Sequence, residues 1–154
     1  MAIPRNVTTE TSKASDGKRS SWRRRLASAG EEAATQYFIN QGAQILARNW
    51  RPGRYSEIDL IVELNGVTVF VEVKARSKSP DYPQHTVSGF ESINWRKQQK
   101  IVTSAKIYFA RQKLAERIWR VDVVVVEYCL GAQDRDQPVL PEPEIIHVVD
   151  ALCL

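Results

Sequence analysis

Two hydrophobic periods run along this chain, and each change from one to the other marks an element boundary. From Ala27 to Asn40 the apolar positions recur at helical spacing, with Ala33, Ala34, Tyr37 and Phe38 forming one stripe and Gly42 placed to cap the end. The pattern then becomes strand-like. Gln44 to Arg51 predicts a short strand, Pro52-Gly53 a turn, and the apolar runs on either side of Asn65-Gly66 two more strands. Ser77 to Gly89, with Pro80, Pro83 and Gly89, reads as a loop long enough to be functional. Ser92 to Leu114 returns to the helical period, with Ile101, Ala105, Tyr108 and Phe109 on one side. Trp119 to Tyr128, containing the run Val123 to Val126, predicts a buried strand that is central in a mixed sheet. A linker from Gly131 to Pro143 leads to a last strand, Glu144 to Val149. The order α-β-β-β-α-β-β describes an α/β fold on one mixed sheet flanked by helices.

Asn65-Gly66 carries more than a turn. An Asn-Gly between apolar runs is the strongest short-range signal for a two-residue hairpin, and it pairs Leu64 with Val67. In that register Asp59 lies opposite Glu72 and Glu57 opposite Lys74, with all four polar side chains on one face. The other face receives Ile58, Leu60, Val62, Val69, Val71 and Val73, which makes it a core face. Directly opposed Cβ atoms stand roughly 4.5 to 5.5 Å apart, and like charges there are destabilising. Asp59 against Glu72 is such a conflict, and a Mg²⁺ or Mn²⁺ ion held by hard oxygen ligands resolves it, with Lys74 one step away. The plainer alternative is a solvated strand face with an ordinary Glu57–Lys74 ion pair. Ile61 and Phe70 continue the charged face as apolar residues and favour carboxylates at the rim of something buried.

The 154 residues, 43% of them apolar, suffice for one domain with a real core. No apolar run approaches the roughly 18 residues of a membrane span. Cys129 and Cys153 are isolated, without metal or redox spacing, so a reducing, cytoplasmic compartment fits; His85 and His147 are likewise alone and read as surface or structural residues. Residues 1 to about 21 are rich in Ser, Thr, Lys and Arg with almost nothing large to bury, and are expected to be a disordered basic tail ahead of a single domain over 22–154. Residues 1 to 25 hold seven Lys/Arg against two acids, and residues 74 to 120 hold eleven against three. Basic flanks around an acidic centre are what a phosphate-backbone ligand and a metal require.

The stretches Gly30-Glu31, Asn49-Trp50-Arg51, Glu57-Ile-Asp59-Leu-Ile61, Phe70-Val-Glu72-Val-Lys74-Ala-Arg76 and Arg120-Val-Asp122-Val-Val occur in this order. With them the chain, over about residues 27 to 150, resembles the YraN-like bacterial family, a branch of the restriction-endonuclease-like PD-(D/E)XK nucleases near the archaeal Holliday junction resolvases. The resemblance implies an α-β-β-β-α-β core. It also implies that Asp59 and Glu72 hold the metal, that Lys74 orients or activates the attacking water, that Glu31 completes the site from the first helix, and that the Val73 carbonyl is a further ligand. Ser56 stands where the family commonly has Gly before the Glu-Ile-Asp stretch. Gln98 or Gln99 would reach the site from the second helix, as a glutamine does in some relatives; the plainer alternative is a solvated helix glutamine.

The expected activity is metal-dependent hydrolysis of DNA phosphodiester bonds, structure-selective, in repair, recombination or uptake. Arg76, Lys78, Arg96, Lys97 and Lys100 would hold phosphates on either side without reading sequence. Trp95, among Asn94, Arg96 and Lys97, is the better candidate for stacking on unpaired bases, and Trp119 reads as core. A homodimer is compatible with this reading, since junction-cutting relatives cut two strands as dimers; no membrane partner is expected. The alternative is a non-catalytic nucleic-acid-binding or partner-binding protein that retains the nuclease fold.

Overall fold

Asn65 and Gly66 both adopt positive φ, 52° and 79°, the pair of left-handed residues that a primed two-residue turn requires. Around them the computed structural model, which describes residues 10–53, 56–80, 95–114, 117–131, 134 and 137–152, places β2 (Ile58–Leu64) antiparallel to β3 (Val67–Lys78). The register is the expected one: Leu64 pairs with Val67, Val62 with Val69, and Leu60 with Val71. β1 (Gln44–Trp50) lies antiparallel on the outer side of β2, with a register shift between Ile45 and Ala47. On the other side of β3, β4 (Trp119–Cys129) runs parallel to it, and β5 (Glu144–Val148) closes the sheet antiparallel to β4. The strand order is β1-β2-β3-β4-β5. A parallel β3–β4 pair demands a crossover, and α2 (Trp95–Gln112) lies between the two in the chain.

The helices take opposite faces. α1 (Glu10–Asn40) buries Leu26, Ala34 and Phe38 against Leu60, Val62, Val69, Val71, Val124 and Val126. α2 buries Ile101, Ala105, Tyr108 and Phe109 against Ile61, Phe70, Val121, Val123 and Val125, the side its helical period assigned. Trp119 packs on Phe70 with ring centroids 5.8 Å apart and is core, as expected. The result is the restriction-endonuclease-like α/β core, with β4 interior and buried on both faces.

Three expectations need correction. Ile58 packs with Ile61 and Phe70 under α2 rather than with Leu60 and Val62, because the β2–β3 ladder runs only to Leu60 and side-chain alternation does not carry through the break. The first helix starts at Glu10 rather than Ala27, so backbone expected to be disordered is helical from residue 10 to residue 21; residues 1–9 lie outside those described. Trp22 and Leu26 account for this, since both pack into the α1-side core. Once a turn is anchored, extending a helix adds one hydrogen bond per residue fixed without repeating the cost of nucleation. At its other end α1 closes as predicted: Gly42 has φ 80° and its N–H donates to the Ile39 carbonyl at 2.9 Å, while the Ala43 N–H donates to that of Phe38 at 3.0 Å. The loop expected from Ser77 begins later, because β3 continues to Lys78; residues 81–94, which include the rest of that loop, His85 and the expected start of the second helix at Ser92, lie outside the described residues, as does Cys153.

α1 reaches β3 most closely at Gly30. A Cβ there would stand 2.5 Å from the Cβ of Ala75 and 3.4 Å from its Cα, so this approach requires glycine. On the interior strand β4, Asp122 is fully buried and fully bonded. It accepts hydrogen bonds from Arg120 Nε at 2.9 Å, His147 Nε2 at 2.8 Å and the Asp150 N–H at 2.9 Å. His147 Nδ1 lies 3.3 Å from the Tyr37 hydroxyl, so one carboxylate links β4, β5 and α1. Burial alone would raise the Asp122 carboxyl, but the bonds from His147, Arg120 and Asp150 and the Arg120 charge outweigh it and hold it below the ordinary value.

Gly30→Ala is expected to destabilise the fold by about 1–3 kcal/mol through overpacking, although alanine is the better helix former by about 1 kcal/mol; urea midpoints at neutral pH check this. Asp122→Asn is expected to lose stability at pH 7, with the loss shrinking once pH falls below about 4, the usual carboxylate value, toward the depressed Asp122 value. Urea melts of both proteins across that range read it.

Candidate metal and phosphate site

The hairpin opens just beyond Leu60 and Val71. Continuing the ladder, the Val73 N–H would donate to the Ile58 carbonyl. It donates instead to Asp59 Oδ2, at 2.7 Å. β2 therefore parts from β3 with the Asp59 carboxylate wedged into the gap. The Val73 carbonyl leaves the strand on the same edge as its N–H, as both groups of one strand residue do, and so faces the same opening.

An open cleft of about 580 Å³ lies at this fork, lined by Asp59, Glu72, Val73, Lys74, Ala75 and Arg76 from the strands and by Arg23, Leu26, Ala27 and Glu31 from α1. The structure thus brings together the predicted residues Asp59, Glu72, Lys74, Glu31, Val73 and Arg76. Glu31 follows Gly30, so the close approach at residue 30 sets how near the Glu31 side chain comes to β3.

Asp59 is pushed up to about 7. Burial is the largest cause, followed by the Glu72 charge, with a smaller rise from Glu31; the Val73 N–H and Lys97 oppose it. The conflict predicted from the register is therefore present. Glu72 has a cation beside it, because Lys97 Nζ of α2 stands 2.7 Å from Glu72 Oε1. A hydrogen bond between the Ser56 and Ser104 hydroxyls ties the segment ahead of β2 to α2, a use for the serine found where the family commonly has glycine.

Other predicted residues sit elsewhere. Glu57 pairs with Arg51 at 2.6 Å rather than with Lys74, and lines a second cleft of about 470 Å³ with Arg24, Ala27, Ser28, Glu31, Asn49 and Arg51. Lys78, at the far end of β3, is held by Glu144 at 2.7 Å and Glu127 at 3.5 Å. Arg96 and Lys100 are exposed on α2, as is Trp95 at 70%. Gln98 is buried and Gln99 lines a separate cleft with Pro52, Ser56 and Lys100; neither lines the Asp59 cleft. Sequence reading did not place Arg23 or Arg24 at the site. The signal was the spacing Arg23-Ala27-Glu31, four residues at each step, which is one helix face only if the helix begins before Arg23.

Among the described residues no group of three or more His, Cys, Asp or Glu side chains stands close enough together to hold a metal. Asp59 and Glu72 line one cleft with Glu31, and the Val73 carbonyl faces the same opening, a set of hard oxygen donors. Such a set suits Mg²⁺ or Mn²⁺, which take one or two carboxylates and leave the remaining positions to water and substrate phosphate. Glu31 lines the cleft and acts on Asp59 through its charge.

The raised Asp59 value carries a stability consequence. The unfolded carboxyl ionises near 3.8 and the folded one near 7; the folded state holds the extra proton between these values, so its stability falls as pH rises through that window. In metal-free protein Asp59→Asn is expected to gain about 1–3 kcal/mol over wild type at pH 8, a range discounted for the open side of the cleft. The gain should fade by pH 4 to 5. Urea midpoints in chelator at both pH values test it, and a difference independent of pH would overturn the assignment.

Among the described residues no helix is long and apolar enough to cross a membrane. Comparison with known proteins finds relatives in the family UPF0102. The chain is 40% identical over 105 residues to a UPF0102 protein of Chloroflexus aurantiacus, covering 68% of this chain and 80% of that one. It is 37% identical over 98 residues to one of Persephonella marina, covering 63% and 78%, and 38% identical over 99 residues to one of Neisseria gonorrhoeae, covering 64% and 81%. The uncharacterised protein family UPF0102 matches residues 30–126, the span from the glycine of α1 to the last valine of the β4 run, and the chain belongs to this YraN-like family.

Proposed function

We propose that the protein is a metal-dependent nuclease that hydrolyses phosphodiester bonds, with DNA as its substrate. The observation that carries this reading is the pairing of Asp59 with Glu72 at the fork of β2 and β3. Asp59 is raised to about 7 by burial and by its neighbour, and Lys74 lines the same open cleft. A fold has no structural use for such a conflict, and strongly perturbed carboxylates in a cleft mark chemistry more often than architecture.

Asp59, Glu72 and the Val73 carbonyl would hold Mg²⁺ or Mn²⁺. When bound, the ion supplies charge stabilisation at the phosphate and lowers the pKa of a water. The protein's own residues do the rest. Lys74 presents a positive charge and hydrogen-bond donors to the attacking water and holds it in line. The water oxygen bonds to phosphorus and gives up a proton to solvent, the bond from phosphorus to the leaving sugar oxygen breaks, and that oxygen takes up a proton from solvent. Lys97 is the counter-charge of Glu72. Arg76 lines the cleft, and Arg96 and Lys100 lie exposed on α2; these three contact phosphates flanking the reacting one. Lys78 is left out of this set because Glu144 and Glu127 engage it.

The Glu72–Lys97 pair favours a second reading, in which an internal cation has replaced the metal and the protein binds nucleic acid or a partner without cutting. One experiment separates the two. A labelled panel of single-stranded, duplex, flap and four-way-junction DNA is incubated with Mg²⁺ or Mn²⁺. Cutting by wild type is expected to disappear in chelator, and to fall at least about 100-fold in Lys74→Ala and further when Asp59→Asn is combined with Glu72→Gln. Calorimetry showing no ion binding, or cutting indifferent to Lys74, would remove the nuclease reading.

A further inference from the structure

The run Arg23-Arg24-Arg25 divides into unlike parts. Arg25 is used by the fold: its guanidinium lies over the Trp22 ring, 5.6 Å from the centroid, and donates to the Gln137 carbonyl. Arg23 and Arg24 are exposed, and among the described residues neither forms an ion pair with a carboxylate. Both nevertheless line clefts. Arg23 lines the one holding Asp59, Glu72 and Lys74, and Arg24 the neighbouring one holding Asn49, Arg51 and Glu57. Ala27 and Glu31 belong to both clefts, so the two meet across the α1 face that carries the arginines.

The helix holds this face firmly in place. Trp22 and Leu26 pack into the core on one side of the arginines, and Gly30 locks onto Ala75 beyond them. At about 1.5 Å rise per residue, Arg24 and Arg23 stand about 10 and 12 Å along the axis from Glu31. Nucleic-acid strands advance about 3.4 Å per step, so the separation is about three steps. Arginine is suited to the task because its planar fork meets phosphate oxygens two at a time. Both residues precede the segment 30–126 that matches the family.

We propose that Arg23 and Arg24 form a phosphate clamp on α1, gripping the nucleic-acid backbone about three nucleotides along the helix from the position beside Glu31 in the Asp59–Glu72 cleft. This rests on the reading of the cleft as a phosphodiester site. It adds a binding element from outside the segment matched by the family, with backbone phosphate as its ligand. Ala27, the only side chain between Arg23 and Glu31 on their shared row, is small enough to let the strand lie close to the helix.

The test measures binding separately from cutting. Labelled duplex and four-way-junction DNA is titrated with full-length protein in a Lys74→Ala background, without metal, from 50 to 200 mM salt. Arg23→Ala with Arg24→Ala should weaken binding about 10-fold or more at low salt and make the log–log salt slope shallower by about two, one per lost phosphate contact. Arg23→Lys with Arg24→Lys should restore most of the slope. Lys106→Ala with Lys113→Ala removes equal charge from exposed positions far along and just beyond α2, and should change neither quantity more than about twofold. A slope unchanged by the arginine variant, a slope equally reduced by the lysine variant, or no DNA retained by the parent protein would each overturn the clamp. Metal-dependent cutting by wild type, assayed in parallel, distinguishes the two readings. Cutting with an unaffected arginine variant overturns the clamp alone, and a reduced slope without cutting upholds the clamp while the nuclease reading fails.

Discussion

The hydrogen bond from the Val73 N–H to the Asp59 carboxylate is the constraint on which the rest of the molecule turns. A hairpin that begins at a two-residue turn would, left to itself, continue as a flat antiparallel ladder. Here a side chain takes the place of a backbone carbonyl, and β2 swings away from β3 without stranding a buried donor. The fork is what makes a cleft between adjacent strands, and it exposes the Val73 carbonyl edge. It also frees β3 to run on beside β4 as far as Lys78 and Cys129. Both helices then have a place to meet the opening, α1 through Glu31 and α2 through Lys97.

Two carboxylates show how differently one fold can treat the same group. Asp122 is wholly buried, yet every direction around it offers a donor, and its ionised form is favoured. Asp59 is less buried but has one backbone donor and two carboxylates for company, and its ionised form is disfavoured. Burial works against the charge in both; the difference lies in what the surroundings return. Asp122 joins β4, β5 and α1, where a satisfied ion strengthens the structure. Asp59 stands at the mouth of a cleft, where an unsatisfied one creates demand for a cation.

Much of this was legible in the sequence because the signals were local. Asn65-Gly66 defined the hairpin register to the residue as far as Leu60 and Val71, and the closeness of Asp59 to Glu72 just beyond it could be read from the same turn. The stripe Ile101, Ala105, Tyr108 and Phe109 likewise named the buried side of α2. What escaped depended on distant parts of the chain or on a break in regularity. Ile58 changed sides because the ladder stopped beside it. The α1 start was misplaced because its anchors, Trp22 and Leu26, are isolated apolar residues whose partners lie far along the chain. With the start misplaced, Arg23 and Arg24 had no helix face to share with Glu31. The Lys97–Glu72 pair joins an element before the loop to one after it, and no spacing rule reaches that far.

Gly30 has no side chain to offer, yet its single hydrogen holds the separation between α1 and Ala75. Everything that α1 presents to the opening, from Glu31 in one direction to the arginines in the other, is levered from that contact. A substitution scan scored by function would therefore rank residue 30 beside the charged residues of the cleft, although it has no group to bind, donate or accept. Sensitivity to mutation at such a position measures how the distance between two elements is set, and a map of functional importance drawn from it records a spacer as though it were a reagent.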